Sequence, residues 1–166
     1  MAKDETLILM EVKGLIMDPS SSVPIVVLRS EEHSKILPIW IGIFEANAIA
    51  LQIENISTPR PMTHDLLKNV LGDLEANVQK IVVCELKDNT FYAMIYVNRN
   101  GEVIAIDSRP SDAIALALRT KSPIFVEESV VEGAKGMDLT KDATDSEKLQ
   151  KWLEGLNPED LGKYKM

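Results

Sequence analysis

A single cysteine, Cys84, stands in the 166-residue sequence, so no internal disulfide can brace it. None is needed, because a chain of this length buries roughly 70% of its extended surface on folding. Lys3, Asp4 and Glu5 interrupt the apolar segment that a secretory leader would require, and no run approaches the roughly 18 apolar residues of a spanning helix. The cytoplasm is the expected compartment. Aromatic residues make up only 5%, and 18 basic against 26 acidic side chains leave a formal charge of -8. That balance argues against a protein whose affinity comes from neutralising many phosphates. The acidity is spread along the chain, since residues 1–126 and 127–166 each carry -4. G-x-S-x-G, P-loop and G-x-G-x-x-G signatures are missing, and one cysteine with two histidines cannot furnish a Cys/His zinc set.

What is there reads as alternating short apolar runs and turn formers. VKGLIM (12–17), PIVVLRS (24–30) and ILPIWIG (36–42) have the length and spacing of strands, and FEANAIALQIE (44–54) has helical spacing. The order repeats in VQKIVVCEL (78–86), TFYAMIYVN (90–98) and EVIAIDS (102–108), with turns at Lys87-Asp88-Asn89 and Asn100-Gly101, followed by the helical SDAIALALR (111–119). A shift of 65 positions lays Ile39, Ile41, Ala48, Ile49, Ala50 and Leu51 on Ile104, Ile106, Ala113, Ile114, Ala115 and Leu116, six identities in 13 positions, with Asn47 opposite Asp112. Either two β-β-β-α units are duplicated, or Ala-Ile-Ala-Leu is only the generic composition of a buried helix. Between the units, residues 63–76 predict an inserted, half-buried helix with Leu66, Leu67, Val70, Leu71 and Leu74 on one side and Thr63 as N-cap. PIFVE (123–127) predicts a last strand. Beyond it, residues 133–146 read as mobile, and Ser146 and Asn157-Pro158 as starts of short helices. The expected class is α+β, a mixed and largely antiparallel sheet with packed helices, with a domain over residues 1–130 and a polar, partly helical appendage over 131–166.

Two segments concentrate titratable groups. In RPMTHD (60–65), Pro61 stiffens the entry and His64 and Asp65 fall in the first turn of a helix, where the dipole favours a neutral imidazole able to accept a proton. The plainer alternative is that Asp65 complements the dipole and His64 packs at the surface. In DSRPSD (107–112), which closes an aliphatic and buried-looking strand, Asp107, Arg109, Ser111 and Asp112 share a strand-to-helix junction. Asp107 and Asp112 could hold a divalent cation through oxygen ligands and Arg109 could clamp a phosphate. Alternatively Arg109 pairs with a carboxylate to lock the two halves while Ser111 or Asp112 caps the helix. Glu45 lies near the matching junction of the first unit. His33 in a charged turn and Cys84 in an apolar strand read as surface and core.

LPIWIG (37–42) with Glu45-Ala46, RPMTHDLL (60–67), LKDNTFYA (86–93) and IDSRPSDAIALALR (106–119) together resemble the bifunctional nuclease family, in order and without large gaps over about residues 9–130. The resemblance implies a compact α+β domain with a duplicated strand-helix plan. It also implies hydrolysis of phosphodiester bonds in DNA and RNA with little sequence specificity, assisted by a divalent metal ion such as Mg²⁺ or Mn²⁺. On that basis Asp107, Asp112 and Glu45 are expected to hold the metal. His64 is the expected base or water orienter, Asp65 its support, Arg60 and Arg109 the stabilisers of phosphoryl charge, and Ser111 a hydrogen-bonding aid. Arg60, Arg109 and Arg119 are too few for tight binding of a long duplex, so substrates should be held weakly. The competing reading is a non-enzymatic oligomeric regulatory or scaffold domain binding a small anion or a protein partner. Under either, exposed apolar strand edges favour a homodimer or other homo-oligomer.

Overall fold

The structure is a computed structural model, and it describes residues 6–134 and the short strand at 137–138. Its elements, in chain order, are β1 (Leu7–Met17), β2 (Pro24–Ser30), β3 (Lys35–Trp40), α1 (Ile43–Ile53), α2 (Thr63–Asp73), β4 (Ala76–Lys87), β5 (Thr90–Arg99), β6 (Glu102–Ser108), α3 (Pro110–Thr120), β7 (Ile124–Glu127), α4 (Glu128–Gly133) and β8 (Met137–Asp138). The fold is α+β. All eight strands join one mixed sheet in the order β6-β5-β4-β7-β1-β2-β3-β8, antiparallel throughout except where β7 runs parallel to β4.

Each run of three strands is an antiparallel meander followed by a helix. Local chemistry sets the corners. Asp88-Asn89 and Asn100-Gly101 both have two consecutive positive φ angles, the conformation that matches a two-residue hairpin to strand twist. Asn98 accepts the Gly101 N–H at 3.1 Å and closes the second of them. β1 serves both halves. Its first part, Leu7–Met10, pairs with β7; its second, from Glu11, pairs with β2, with a register shift between Val12 and Gly14. Such a bulge bends a strand and lets one chain segment turn a corner in the sheet. The strand therefore begins five residues before the VKGLIM run. Trp40, half exposed at the end of β3, donates its indole N–H to Asp18 in the β1–β2 turn at 2.9 Å.

Leu15, Val26, Leu28, Leu37, Ile81 and Val83 from the strands bury themselves under Ile49 of α1 and Ile114 and Leu116 of α3. Val130 and Val131 of α4 join the same core, so the packed region continues through that helix. Neither α4 nor β8 was evident from composition. β8 and part of α4 fall inside the stretch 133–146 expected to be mobile, and the expected helices at Ser146 and Asn157-Pro158 lie outside the described residues.

Three expectations need correction. α2 has no fully buried residue and only Leu71 of its apolar row packs partly against the core, although a half-buried helix was expected. Its periodicity is real, but periodicity reports which side chains share a face and not whether anything covers that face. β6, read as buried from its aliphatic content, is exposed over all but its last residue because it ends the sheet. Thr63 is the first helical residue rather than the cap, which is Met62. No helix among the described residues is long and apolar enough to cross a membrane.

Candidate functional site

Helices α1, α2 and α3 start close together, and each carries a carboxylate at its third position: Glu45, Asp65 and Asp112. Acidic groups there complement the positive end of the helix dipole. Asp65 also accepts the backbone N–H of the cap residue Met62 at 2.9 Å. Pro110, at the first position of α3, supplies a preset φ and gives up an N–H that would have had no partner. Gly42 caps α1, and a Cβ there would collide with the Glu45 carboxylate, which folds back over the helix start. These requirements alone account for much of the residue pattern.

The polar groups then link into a chain across three helices. His64 Nε2 lies 2.9 Å from Asp112 Oδ1, Arg109 Nε donates to Asp112 Oδ2 at 2.9 Å, and a terminal nitrogen of Arg109 reaches Glu45 Oε1 at 3.0 Å. Burial works to raise the Asp112 carboxyl, but hydrogen bonds from Arg109 and His64 outweigh it and hold the group below the usual carboxylate range. Asp112, then Glu45, stabilise the charged form of Arg109.

A second chain lies beside the first. Arg119, whose side chain is only 2% exposed, donates to Asp65 Oδ1 at 2.7 Å, to the Ala115 carbonyl at 2.9 Å and to the Ala48 carbonyl at 3.0 Å. Burial opposes ionisation of Asp65; the Met62 N–H and Arg119 prevail and lower its pKa. Arg119 thus ties α1, α2 and α3 together from within. Sequence reasoning counted it only among the few basic residues. The available signal was its position on the buried stripe of α3, where an arginine must be fully paired to be tolerated.

The first chain sits on the rim of a cleft of about 840 Å³. Phe44 of α1, Leu67 and Leu71 of α2, and Ile95, Val97 and Ile106 of the sheet form its apolar walls; His64, Arg109, Asp112 and Glu45 mark its polar end. Arg109 is the exposed member of the cluster and faces solvent beside the cleft.

Of the expected site residues, Glu45, His64, Arg109 and Asp112 come together, with Asp65 adjacent through Arg119. Others do not join them. Asp107 borders the cleft beside Ile106 and Ser108, but alternation along β6 turns its side chain to the face of Met94, away from Ile106 and the helices. Arg60 is exposed in the loop before α2 and does not line the cleft, and Ser111 is buried and does not line it either. The expected metal set of Asp107, Asp112 and Glu45 is therefore not assembled. Both Asp112 oxygens and one of Glu45 are committed to Arg109 and His64, and no group of three candidate ligands forms among the described residues. As arranged, these side chains do not fit a metal ion.

A Mycobacterium tuberculosis protein named only as uncharacterized is 35% identical over 161 residues, covering 90% of this chain and 95% of its own. Bifunctional nuclease 1 of Oryza sativa subsp. japonica is 32% identical over 106 residues, which span 61% of this chain but 32% of the plant protein. Bifunctional nuclease 2 of the same plant is 29% identical over 71% of this chain and 38% of its own length. Residues 26–138, which include every member of the two polar chains, match the bifunctional nuclease domain, and the chain belongs to that family.

Proposed function

We propose that this chain is a nuclease that hydrolyses phosphodiester bonds in DNA and RNA with little sequence specificity, working in the cytoplasm as a homo-oligomer. The observation that carries the reading is the His64–Asp112–Arg109–Glu45 chain at the mouth of an open cleft, in a family whose plant members bear the nuclease name. The chemistry follows from the geometry. With its Nε2–H donated to the Asp112 carboxylate, His64 keeps Nδ1 as its basic atom, able to take a proton from water. The paired carboxylate fixes the ring and stabilises the imidazolium formed by that transfer. Arg109, charged and exposed beside it, offers donors to the developing charge on the phosphoryl oxygens. Arg60 adds charge from the preceding loop, Asp65 holds the start of α2, and Ser111 supports the start of α3. Since the carboxylates are already paired, no step is routed through a metal.

One observation favours a second reading, a non-enzymatic regulatory or scaffold domain. Glu45, Asp65 and Asp112 are each satisfied by a guanidinium, and Arg109 and Arg119 then act as locks between helices. The two readings part in one assay. Purified protein is incubated with single-stranded DNA and with RNA, in Mg²⁺, in Mn²⁺ and in a chelator, beside His64→Ala and Asp112→Asn. The nuclease reading expects cleavage by the wild type and a loss of about 100-fold or more in both variants, the usual worth of a positioned base. Equal cleavage by all three would mark a contaminant and leave the scaffold reading. The ratio between metal and chelator reports whether a cation displaces Arg109 from Asp112.

A further inference from the structure

Outside the polar cluster, the most unusual feature is an uncovered apolar face. Leu66, Leu67, Val70 and Leu74 on α2, with Ile104 and Ile106 on β6, are between 38% and 56% exposed, and Phe44 beside them is 73% exposed. The two elements border one surface, because Leu67 and Ile106 line the same cleft. Ile104 and Ile106 point to the helix side, since their partners across the ladder are Val97 and Ile95, both in the core. The helix layer stops short of the outermost strand.

We propose that a second copy of this chain seats on this face, pairing β6 with β6 in antiparallel fashion and bringing α2 into the contact. Area is the first argument. The six aliphatic side chains expose on the order of 500 Å² of apolar surface, about the apolar share of the roughly 800 Å² that each partner contributes to a standard interface. It is also at the upper end of what a monomer leaves open.

The edge itself is the second argument. β6 terminates the sheet with a seven-residue stretch, EVIAIDS, that has no proline, no lysine and no bulge to discourage pairing. A two-fold axis through Ala105 sets Ile104 of each copy across from Ile106 of the other, on the same face, as an isologous antiparallel contact requires. A one-residue slip would place isoleucine against the other face. The face carries no charge at its centre, so two chains of net charge -8 can meet there with their carboxylates at the margin. Through Phe44, Leu67 and Ile106 the face borders the cleft of the proposed function, but the pairing does not rest on that reading.

The test is the molar mass of the full chain in solution by light scattering at tens of micromolar protein. The expected mass is twice 18.5 kDa for the wild type and 18.5 kDa for Ile104→Lys/Ile106→Lys and for Leu66→Glu/Val70→Glu. Each double variant should weaken association at least tenfold, with an unchanged far-UV circular dichroism spectrum showing that the fold persists. In a Cys84→Ser background, Ala105→Cys should cross-link to a covalent dimer on mild oxidation, because a residue on the axis meets its own copy. A monomeric wild type overturns the proposal. So does a dimer that survives either double variant, or one whose Ala105→Cys form stays uncross-linked. If only a chain ending at residue 138 dimerises, residues 139–166 cover the face instead, which also overturns it.

Discussion

Asp112 and Asp65 make the candidate site sensitive to acid. Both carboxyls are held below their ordinary value in the folded chain, against the opposing pull of burial. A depressed carboxyl contributes stability that is present above the unfolded pKa, near 3.9 for aspartate, and is lost as pH falls through the lower folded value. Urea-unfolding midpoints should therefore stay level from about pH 7 down to about pH 5 and fall steeply below about pH 4, with a shallower acid limb in Asp112→Asn. An acid limb identical in the variant would mean that Asp112 is not paired in solution. The sequence placed Glu45, His64, Asp65, Arg109 and Asp112 at helix starts through their spacing, and those positions are where the structure has them. Asp107 misled because a strand end and the turn after it were treated as one location. A strand reverses its side chains at every residue, so once Ile106 faces the helices Asp107 cannot. Arg119 stayed hidden for the opposite reason, since its partners come from 54 and 71 residues away.

At the level of elements, α2 is the helix with most to lose. It contributes no fully buried side chain beyond the partial packing of Leu71, so the bonds from His64 to Asp112 and from Asp65 to Arg119 are its specific polar attachments to α3. Arg119→Ala would leave Asp65 without its guanidinium and the Ala48 and Ala115 carbonyls without their donors. Breaking a buried pair from one side costs about 3–5 kcal/mol, and the lower end applies because Asp65 remains partly solvated. Chemical denaturation should show that loss, and amide exchange should rise first in α2. A loss under about 0.5 kcal/mol would remove Arg119 from its role as the tie between the helices. Gly42→Ala tests the neighbouring helix: a methyl group there displaces Glu45, so Arg109 loses one carboxylate and cleavage should change with little change in stability. The elements themselves were legible because strands, hairpin turns and helices follow from local periodicity and from residues such as Asn100-Gly101 that accept positive φ. Burial was not legible for α2 and β6, because it depends on which elements reach across from elsewhere in the chain.

For the molecule as a whole, charge decides how a polyanion is met. A net charge of -8 gives a field that repels phosphates at long range, so any affinity must come from a few local contacts. Among the described residues, Arg60, Lys68 and Arg109 stand exposed near the proposed site, and Arg109 already shares its charge with Asp112 and Glu45. Each phosphate neutralised on a single strand contributes a slope of about −0.7 to log K against log salt, so three contacts give no more than about −2. Fluorescence anisotropy with a short labelled single strand, titrated at several salt concentrations with the catalytically impaired His64→Ala, should return a slope this shallow and a weak affinity throughout. Arg109→Gln should flatten the slope further, whereas a change at a distant lysine such as Lys13 should leave it alone. A wild-type slope of about −4 or steeper would require a basic surface. Should such a slope appear only at concentrations where the chain pairs through β6, the basic surface would belong to the dimer, and the exposed edge strand would then serve substrate capture as well as assembly.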